Sequence, residues 1–281
     1  MGRFYEALRR SGGLKEEATP SPPPSRVVTI PTDTAESFRP APPRPPEIPT
    51  EERPAYAFGI DPRLSSFHNP SSPEAECFRM LRTKVLVFAR ERSLRSILVT
   101  SPQPLDGKSL VAANLAVSIA QGLNDYVLLV DCDLRAPALH RIFNVNSSSG
   151  MQEYLKEGTY VAPFLVKTPL KKLTLLPGGT PPPNPAELLC SQKMRILIQE
   201  LRSRYEDRFV IFDSPPGRYA AESAFLARMM DGVLLVARYG KTPRQLITDT
   251  LENIGRERVL GVVFNASREG QKDYRHYYGY Y

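Results

Sequence analysis

Six short runs of apolar, β-favouring residues recur between residues 97 and 264, and none of them alternates with polar positions: Ile97–Val99, Tyr126–Val130, Leu173–Leu176, Phe209–Phe212, Val233–Val236 and Val259–Phe264. A strand with one wet face shows a period of two, whereas a strand without that period is buried on both faces. Burial on both faces is the condition of a parallel sheet covered by helices. The intervening stretches, roughly 109–121, 137–143, 185–205, 219–229 and 243–253, carry helical patterns. Strand and helix alternating in this way predict an α/β fold with a predominantly parallel, doubly wound sheet. Thr242-Pro243-Arg244-Gln245 reads as a capping box at the head of the last helix. No internal repeat is visible.

The first run leads into Thr100-Ser101-Pro102-Gln103-Pro104-Leu105-Asp106-Gly107-Lys108-Ser109 and then into a helix. A strand, a glycine-containing loop and a helix start, in that order, are the setting of a phosphate loop. Backbone N–H groups and the positive end of the helix face the phosphate oxygens. Lys108 is placed to neutralise β- and γ-phosphate oxygens and Ser109 Oγ to ligate Mg²⁺, with Asp106, Gly107 and Leu110 as flanking nucleotide-binding positions. The first glycine of G-x-x-x-x-G-K-[ST] is replaced by Pro102, and neither Pro102 nor Pro104 has an N–H to donate.

Two other runs end in carboxylates. Val127–Val130 continues as Asp131-Cys132-Asp133-Leu134-Arg135, and Phe209–Phe212 as Asp213-Ser214-Pro215-Pro216. Ligands of doubly wound sheets bind beyond the carboxyl ends of the strands, so these acids are expected beside Lys108. Mg²⁺ takes oxygen ligands and keeps several waters. Ser109, Asp131, Asp133 and Asp213 are therefore the candidate metal positions, and Lys108 with the three aspartates the candidate catalytic set. Taken singly, each acidic motif could be a turn with solvated aspartates. Cys132 reads as a small core residue. Cys77, Cys132 and Cys190 are widely separated, with no metal-binding spacing, which excludes a zinc site or disulfide framework and fits a reducing compartment. His68, His140 and His276 form no cluster along the chain.

Composition divides the chain in three. Fifteen of its 28 prolines fall within the first 73 residues, including Pro22-Pro23-Pro24 and Pro42-Pro43-Arg44-Pro45-Pro46. Residues 1–72 are read as a largely disordered, proline-rich extension, with a possible short amphipathic helix over Phe4–Arg10. Order is expected from Ser71-Ser72-Pro73-Glu74, where serine caps and proline suits the first helical position. The helix to about Arg92 places Phe78, Leu81, Val85 and Phe88 on one face and Glu76, Arg79 and Arg82 along another. The folded domain spans 73–265, and a domain of about 195 residues buries a core without disulfides. Residues 266–281 follow, and Tyr274, Tyr277, Tyr278, Tyr280 and Tyr281 put five of the thirteen tyrosines in the last eight positions. No leader opens the chain and no apolar run reaches ~18 residues, so neither secretion nor a spanning helix is expected. The formal charge of +7 is diffuse, with acids and bases mixed, and gives no focus for nucleic acid.

Jointly these motifs resemble the bacterial tyrosine kinases of capsule and exopolysaccharide synthesis, relatives of the ParA/MinD ATPases and so P-loop NTPases. The resemblance runs from about residue 74 to 281. It rests on Glu76-x-x-Arg79-x-x-Arg82, the loop Thr100–Ser109, Asp131–Arg135, Pro177-Gly178-Gly179-Thr180-Pro181-Pro182-Pro183-Asn184-Pro185-Ala186-Glu187-Leu188-Leu189, Asp213–Pro216 and the tyrosine tail. It implies ATP and Mg²⁺ as cofactors, with Lys108 and Ser109 as the phosphate-loop pair and Asp213 as the following acidic strand end. Asp131 and Asp133 place Mg²⁺, and Asp131 orients or deprotonates an incoming tyrosine. Asn265 falls where related ATPases contact adenine. Glu76, Arg79 and Arg82 match a motif that joins subunits into a ring, so that one protomer's tail enters its neighbour's site.

The same resemblance implies a membrane chain-length regulator as activator, a protein-tyrosine phosphatase as antagonist, no nucleic acid partner, and a cytoplasmic location recruited to the inner face of the plasma membrane. Leu105 departs from the family, which has glycine there; a side chain resists a positive φ, so the loop is expected to be weaker or slower for ATP. Two rival functions remain at this level. One is a ParA/MinD-like ATPase switch, against which Gln103 stands where those proteins carry an extra lysine. The other is a weakly active nucleotide-binding scaffold.

Overall fold

The chain's alternation of strand and helix becomes a seven-stranded sheet in the order β3-β4-β2-β5-β1-β6-β7. This computed structural model describes residues 59–204, 208–217 and 221–267. The proline-rich extension to residue 58 and the five tail tyrosines lie outside the described residues. The strands are β1 (Ser96–Thr100), β2 (Tyr126–Asp131), β3 (Val166–Lys167), β4 (Leu173–Leu176), β5 (Arg208–Asp213), β6 (Gly232–Arg238) and β7 (Val259–Asn265). All neighbours pair parallel except β3, which runs antiparallel to β4.

The inner strands lack polar alternation because both faces are covered; the edge strand β7 is only half-buried, with Phe264 exposed, so its apolar run overstates its burial. Ile97, Val99, Val127, Leu129 and Ile211 point into one buried cluster with helices α2 (Pro73–Arg92) and α3 (Lys108–Ala120). Leu98, Leu128, Val130, Val210 and Phe212 point into a second. There they meet α5 (Met151–Glu157), α7 (Gln192–Arg204) and α8 (Ala221–Met229). Phe212 is fully buried, and truncating such a ring to alanine costs about 3–5 kcal/mol. From β1 the chain crosses past β5 to β2, and β6 lies on the other side of β1. That reversal opens a crevice at the carboxyl end of β1, where ligands of such sheets bind.

The start of α2 is as the sequence suggests. Ser72 Oγ accepts a hydrogen bond from Ala75 N (3.1 Å), Pro73 occupies the first turn, and Glu74 and Glu76 face the positive helix end. The stretch expected as one helix over 185–205 is two, α6 (Pro185–Leu189) and α7, because Ser191 Oγ accepts from Met194 N (3.1 Å) and starts a new helix. Helices α5 and α4 (Leu139–Phe143) are short, and α5 and β3 give too little periodicity to be read from sequence. The last helix, α9 (Arg244–Ile254), begins without a side-chain cap, so the expected capping box is absent. Thr242 is drawn instead to the phosphate loop.

Fixed structure also begins earlier than residue 73. Gly59–Asn69, with the single helical turn α1 (Ser65–His68), lies as a strap against α3. Leu64 is fully buried. Asn114 of α3 accepts from Ser66 N through Oδ1 (3.0 Å) and donates from Nδ2 to Arg63 O (3.3 Å) and Leu110 O (3.0 Å). Gln121 Nε2 donates to Ser66 O (2.7 Å), and Asp61 N to Ile142 O (2.9 Å). One buried leucine and one buried asparagine outweigh the surrounding prolines, which compositional reading weighs more heavily.

Candidate functional site

The phosphate loop joins β1 to α3 and takes two backbone turns into the left-handed region. Gly107 has φ 92°, and a Cβ built on it would meet Asn265 Nδ2 at 2.1 Å, so only glycine fits. Leu105 has φ 66° although it is not glycine. The loop does require the conformation that Leu105 resists. Its side chain is 59% exposed, so little burial compensates.

Several residues that sequence reading assigned elsewhere, or not at all, brace this loop. Thr242 Oγ1 donates to Asp106 Oδ1 (2.7 Å) and accepts from Arg238 N (2.8 Å). Gln103 Nε2 donates to the same Asp106 oxygen (3.2 Å), and Arg238 Nη1 to Leu105 O (3.3 Å). Asn265 Nδ2 donates to Asp106 O (2.9 Å). Asp106 is 1% exposed and its side chain holds the loop's shape rather than facing the crevice as an open ligand. A threonine after a predicted strand end was the available signal, and the capping pattern concealed it.

The acidic strand ends meet by register. Asp131 pairs with Asp213 across β2 and β5, and Val99 with Asp213 across β1 and β5. Lys108 Nζ, on the first turn of α3, reaches Asp133 Oδ2 at 2.8 Å, Asp213 Oδ1 at 3.8 Å and Ser109 Oγ at 3.2 Å. Asp131, by contrast, is engaged with backbone. Its Oδ2 accepts from Ala138 N (2.9 Å) and Leu139 N (3.0 Å) at the start of α4, and its Oδ1 from Asp133 N (3.2 Å). Neither oxygen of Asp213 has a hydrogen bond, although both are buried.

The electrostatics follow from burial. Burial pushes the Asp131 carboxyl up to about 8, with Asp213's charge adding and the Leu139 amide opposing. Burial also raises Asp213, to about 6, against the pull of Lys108. Burial alone would lower Lys108, but Asp213 and Asp133 outweigh it and hold the ammonium above its ordinary value. Burial keeps the Cys132 thiol well above its usual range, so it packs as an inert core group.

Asp133 and Asp213 around one lysine leave the site one charge short of balance, and two where Asp131 is ionised; the Asp213 oxygens, without a hydrogen bond, supply acceptors for a cation. The Ser109 hydroxyl lies alongside Asp213. These residues fit a hydrated Mg²⁺, which needs only one or two protein ligands. Among the described residues, no three acids, histidines or cysteines close on one point as a complete metal cage. Of the four expected metal positions, Ser109 and Asp213 are the less engaged pair, at 3.2 and 3.8 Å from Lys108 Nζ; Asp133 meets Lys108 at 2.8 Å and Asp131 accepts two amides at the start of α4.

The Pro177-Gly178-Gly179 turn packs against this acidic rim. A Cβ on Gly178 would sit 2.9 Å from Pro137 Cβ. Glu153 of α5, which sequence reading passed over, holds the turn: Oε2 accepts from Gly150 N (2.7 Å) and Oε1 from Thr180 N (3.1 Å). Arg135 pairs with the buried Glu222 at 2.9 Å. Glu76, Arg79 and Arg82 lie on α2, away from the phosphate loop in sequence, and have partners within the chain. Arg79 Nε donates to Glu76 Oε2 (2.6 Å), and Arg82 Nη1 to Ser118 O at the end of α3 (2.8 Å).

The CobQ/CobB/MinD/ParA nucleotide binding domain matches residues 97–279. The tyrosine-protein kinase YwqD of Bacillus subtilis is 36% identical over 212 residues, 75% of this chain and 88% of that protein. The chain belongs to the bacterial tyrosine kinase family. Among solved structures, the kinase domain of Escherichia coli tyrosine kinase ETK superposes with a TM-score of 0.69 at 28% identity, covering 74% of this chain and 81% of that one. MinD from Pyrococcus horikoshii, complexed with Mg-ADP, shares the fold with a TM-score of 0.51 at 22% identity, over 63% and 72% of the two chains. The tyrosine kinase core is thus the P-loop α/β fold expected, with its phosphate loop and acidic strand ends at one rim. Among the described residues, no helix is long and apolar enough to cross a membrane.

Proposed function

We propose that this bacterial tyrosine kinase transfers the γ-phosphoryl group of ATP, with Mg²⁺, to the tyrosines of its own C-terminal cluster. The observation that carries the reading is the buried Lys108–Asp133–Asp213 group at the head of α3, with the Asp213 oxygens facing Lys108 but making no hydrogen bond. Mg²⁺ held by Ser109 and Asp213 would offset charge on the β- and γ-phosphate oxygens. Lys108 neutralises the same oxygens from a fixed position, and Gly107 leaves the loop's N–H groups free to approach. A tyrosine hydroxyl, with a pKa near ~10, is a poor nucleophile until a carboxylate accepts its proton. Asp131 is suited to that transfer in its ionised form, because burial raises its carboxyl to about 8, nearer to the phenol than an ordinary carboxylate. Its Oδ1 is the freer oxygen, since Oδ2 accepts two backbone amides. The proton passes to Asp131 as the phenolate oxygen bonds phosphorus and ADP leaves.

The tail departs from Asn265, which itself touches the phosphate loop, so the acceptors start from the rim that holds the site. Transfer in trans within a ring joined through Glu76, Arg79 and Arg82 supplies millimolar local acceptor. Each added phosphate carries about −2 charge, repels its neighbours and the acidic site, and favours release. A membrane chain-length regulator as activator, a protein-tyrosine phosphatase as antagonist, recruitment to the inner membrane face and control of capsular or extracellular polysaccharide complete the proposal. The test is incubation of purified chain with Mg-ATP and detection of phosphotyrosine, beside Lys108→Met and a chain ending at Asp273. Phosphotyrosine in the wild type alone supports the reading. Strong ATP hydrolysis without phosphotyrosine favours a ParA/MinD-like switch, and neither activity favours a scaffold.

A further inference from the structure

The turn that follows β4 is clamped against the acidic rim. Pro177 O accepts from Met151 N (2.8 Å) and Gly178 O from Gln152 N (3.0 Å), so the turn satisfies two of the free amides at the head of α5. In return Glu153 Oε1 accepts from Thr180 N (3.1 Å), and its Oε2 from Gly150 N (2.7 Å). A Cβ on Gly178 would lie 3.6 Å from Asp131 Cγ, so the turn packs directly on that carboxyl. Gly179, at φ 80°, leaves no room for a Cβ beside Glu153.

Beyond this anchor the chain comes out to the surface. Pro177, Gly178 and Gly179 are buried, whereas Thr180, Pro181, Pro183 and Asn184 are exposed and Pro182 is half-buried. Pro185 is buried again in the first turn of α6. Consecutive prolines lock φ near −65° and keep each preceding residue extended, so the run stands as a short polyproline ridge between two fixed ends. The prolines have no N–H to offer and present hydrocarbon ring faces, a surface that aromatic side chains recognise. Tyrosine suits it, with an apolar ring to pack and a hydroxyl that stays polar at the edge. The chain supplies such a segment itself. Fourteen residues, 268–281, follow Ser267, and five of the last eight are tyrosines. We infer that Thr180–Asn184 is the docking ridge for the tyrosine tail of a sister chain, with rings flanking the acceptor packed on Pro181 and Pro183. Glu153 is then a positioning residue, holding the ridge beside Asp131 while the acceptor tyrosine turns toward that carboxyl. The inference rests on the autokinase reading above and adds the surface that selects the acceptor.

The test uses the full chain, Mg-ATP and a peptide of residues 268–281, with peptide phosphotyrosine followed by mass spectrometry at initial rates. Pro181→Ser/Pro183→Ser removes two ring faces and leaves Lys108 and the three aspartates in place. It is expected to raise the peptide KM about five- to tenfold, the scale of one or two lost ring contacts. Turnover at saturating peptide and Mg-ADP affinity by calorimetry should change less than about twofold. A second peptide keeps Tyr277 and replaces Tyr274, Tyr278, Tyr280 and Tyr281 with serine. The wild type should show the raised KM with this peptide, and the ridge variant should no longer distinguish the two peptides. An unchanged peptide KM in the ridge variant, equal loss of peptide and Mg-ADP binding, or independent effects of the two changes overturns the inference while leaving the autokinase reading intact. A wild-type chain that phosphorylates neither its own tail nor the peptide overturns that reading and this inference with it.

Discussion

Replacing Leu105 tests how much the phosphate loop stores in its backbone. At φ 66° a residue with a Cβ carries about 1–2 kcal/mol of strain that glycine does not. The side chain is 59% exposed, so deleting it forfeits well under the ~1.5–3 kcal/mol of a fully buried leucine. Glycine adds about 0.4–1 kcal/mol of unfolded-state entropy that folding must overcome. Leu105→Gly against wild type therefore mixes three effects of similar size. Leu105→Ala deletes nearly the same contacts but keeps the strain, so the comparison between the two variants leaves only the strain and the opposing unfolded-state entropy of glycine. The glycine variant is expected to be more stable than the alanine variant by about 0.5–1 kcal/mol. That difference is about 1–4 °C in Tm for a domain of this size. Because the loop holds this conformation without ligand, the strain is common to the free and bound states, and Mg-ATP affinity should differ between the two variants by less than about twofold. Urea titration and calorimetry of both variants provide the readouts. An alanine variant as stable as the glycine variant would show that the loop does not hold this conformation in solution, and the strain argument would be wrong.

Thr242→Val keeps volume but removes a hydroxyl that joins Asp106 to the end of β6. A stability loss of about 1–3 kcal/mol is expected from the under-satisfied buried carboxylate, with a raised KM for ATP, by denaturant melts and steady-state kinetics. Without ligand, stability should fall as pH rises from about 4, the ordinary carboxyl value, through about 6 for Asp213 and about 8 for Asp131. The sign follows from the folded chain holding these protons more tightly than the unfolded one, so ionising the groups costs stability. Asp213→Asn should flatten that decline between about pH 4 and about pH 6 in thermal melts while abolishing phosphoryl transfer; a profile as steep as wild type would show Asp213 already ionised at low pH. Arg82→Glu should remove the donor to Ser118 O and cost only about 0.5–1.5 kcal/mol, while reducing the oligomer to monomer by native mass spectrometry; an unchanged mass would return Arg82 to a purely intramolecular role.

The fold was legible wherever burial on both faces erased polar alternation. Val127–Val130 and Phe209–Phe212 read as inner strands, and the acids that follow them, Asp131 and Asp213, are paired in register. Lys108 and Asp133 were legible as partners because a strand end and a loop–helix junction of such a sheet share one rim. What sequence reading missed depends on contacts between distant segments. Thr242 lies 136 positions from Asp106, and no local pattern announces that bond. Asp131 has the residue type and position of a metal ligand, yet two amides at the start of α4 take its Oδ2, a competition visible only once Ala138 and Leu139 are placed. The strap was hidden for a different reason. It adjoins the proline-rich extension and holds Pro62 itself, whereas its attachment rests on Leu64, Asp61 and a distant Asn114.

These particulars converge on a site kept out of balance by the fold itself. Two apolar clusters fix β1, β2 and β5 side by side, so Asp131 and Asp213 cannot move apart without breaking strand register. Lys108 is anchored by the first turn of α3 and meets Asp133 at close range, while Asp213 stands a further ångström away with no hydrogen bond. A buried carboxylate whose oxygens make no hydrogen bond is costly for a core to keep, even with an ammonium nearby. Here the rest of the sheet offsets that cost, and a cation arriving with a phosphorylated ligand would remove it. The proposed Mg²⁺ site at Asp213 would thereby tie nucleotide affinity, rather than catalysis alone, to the identity of that residue.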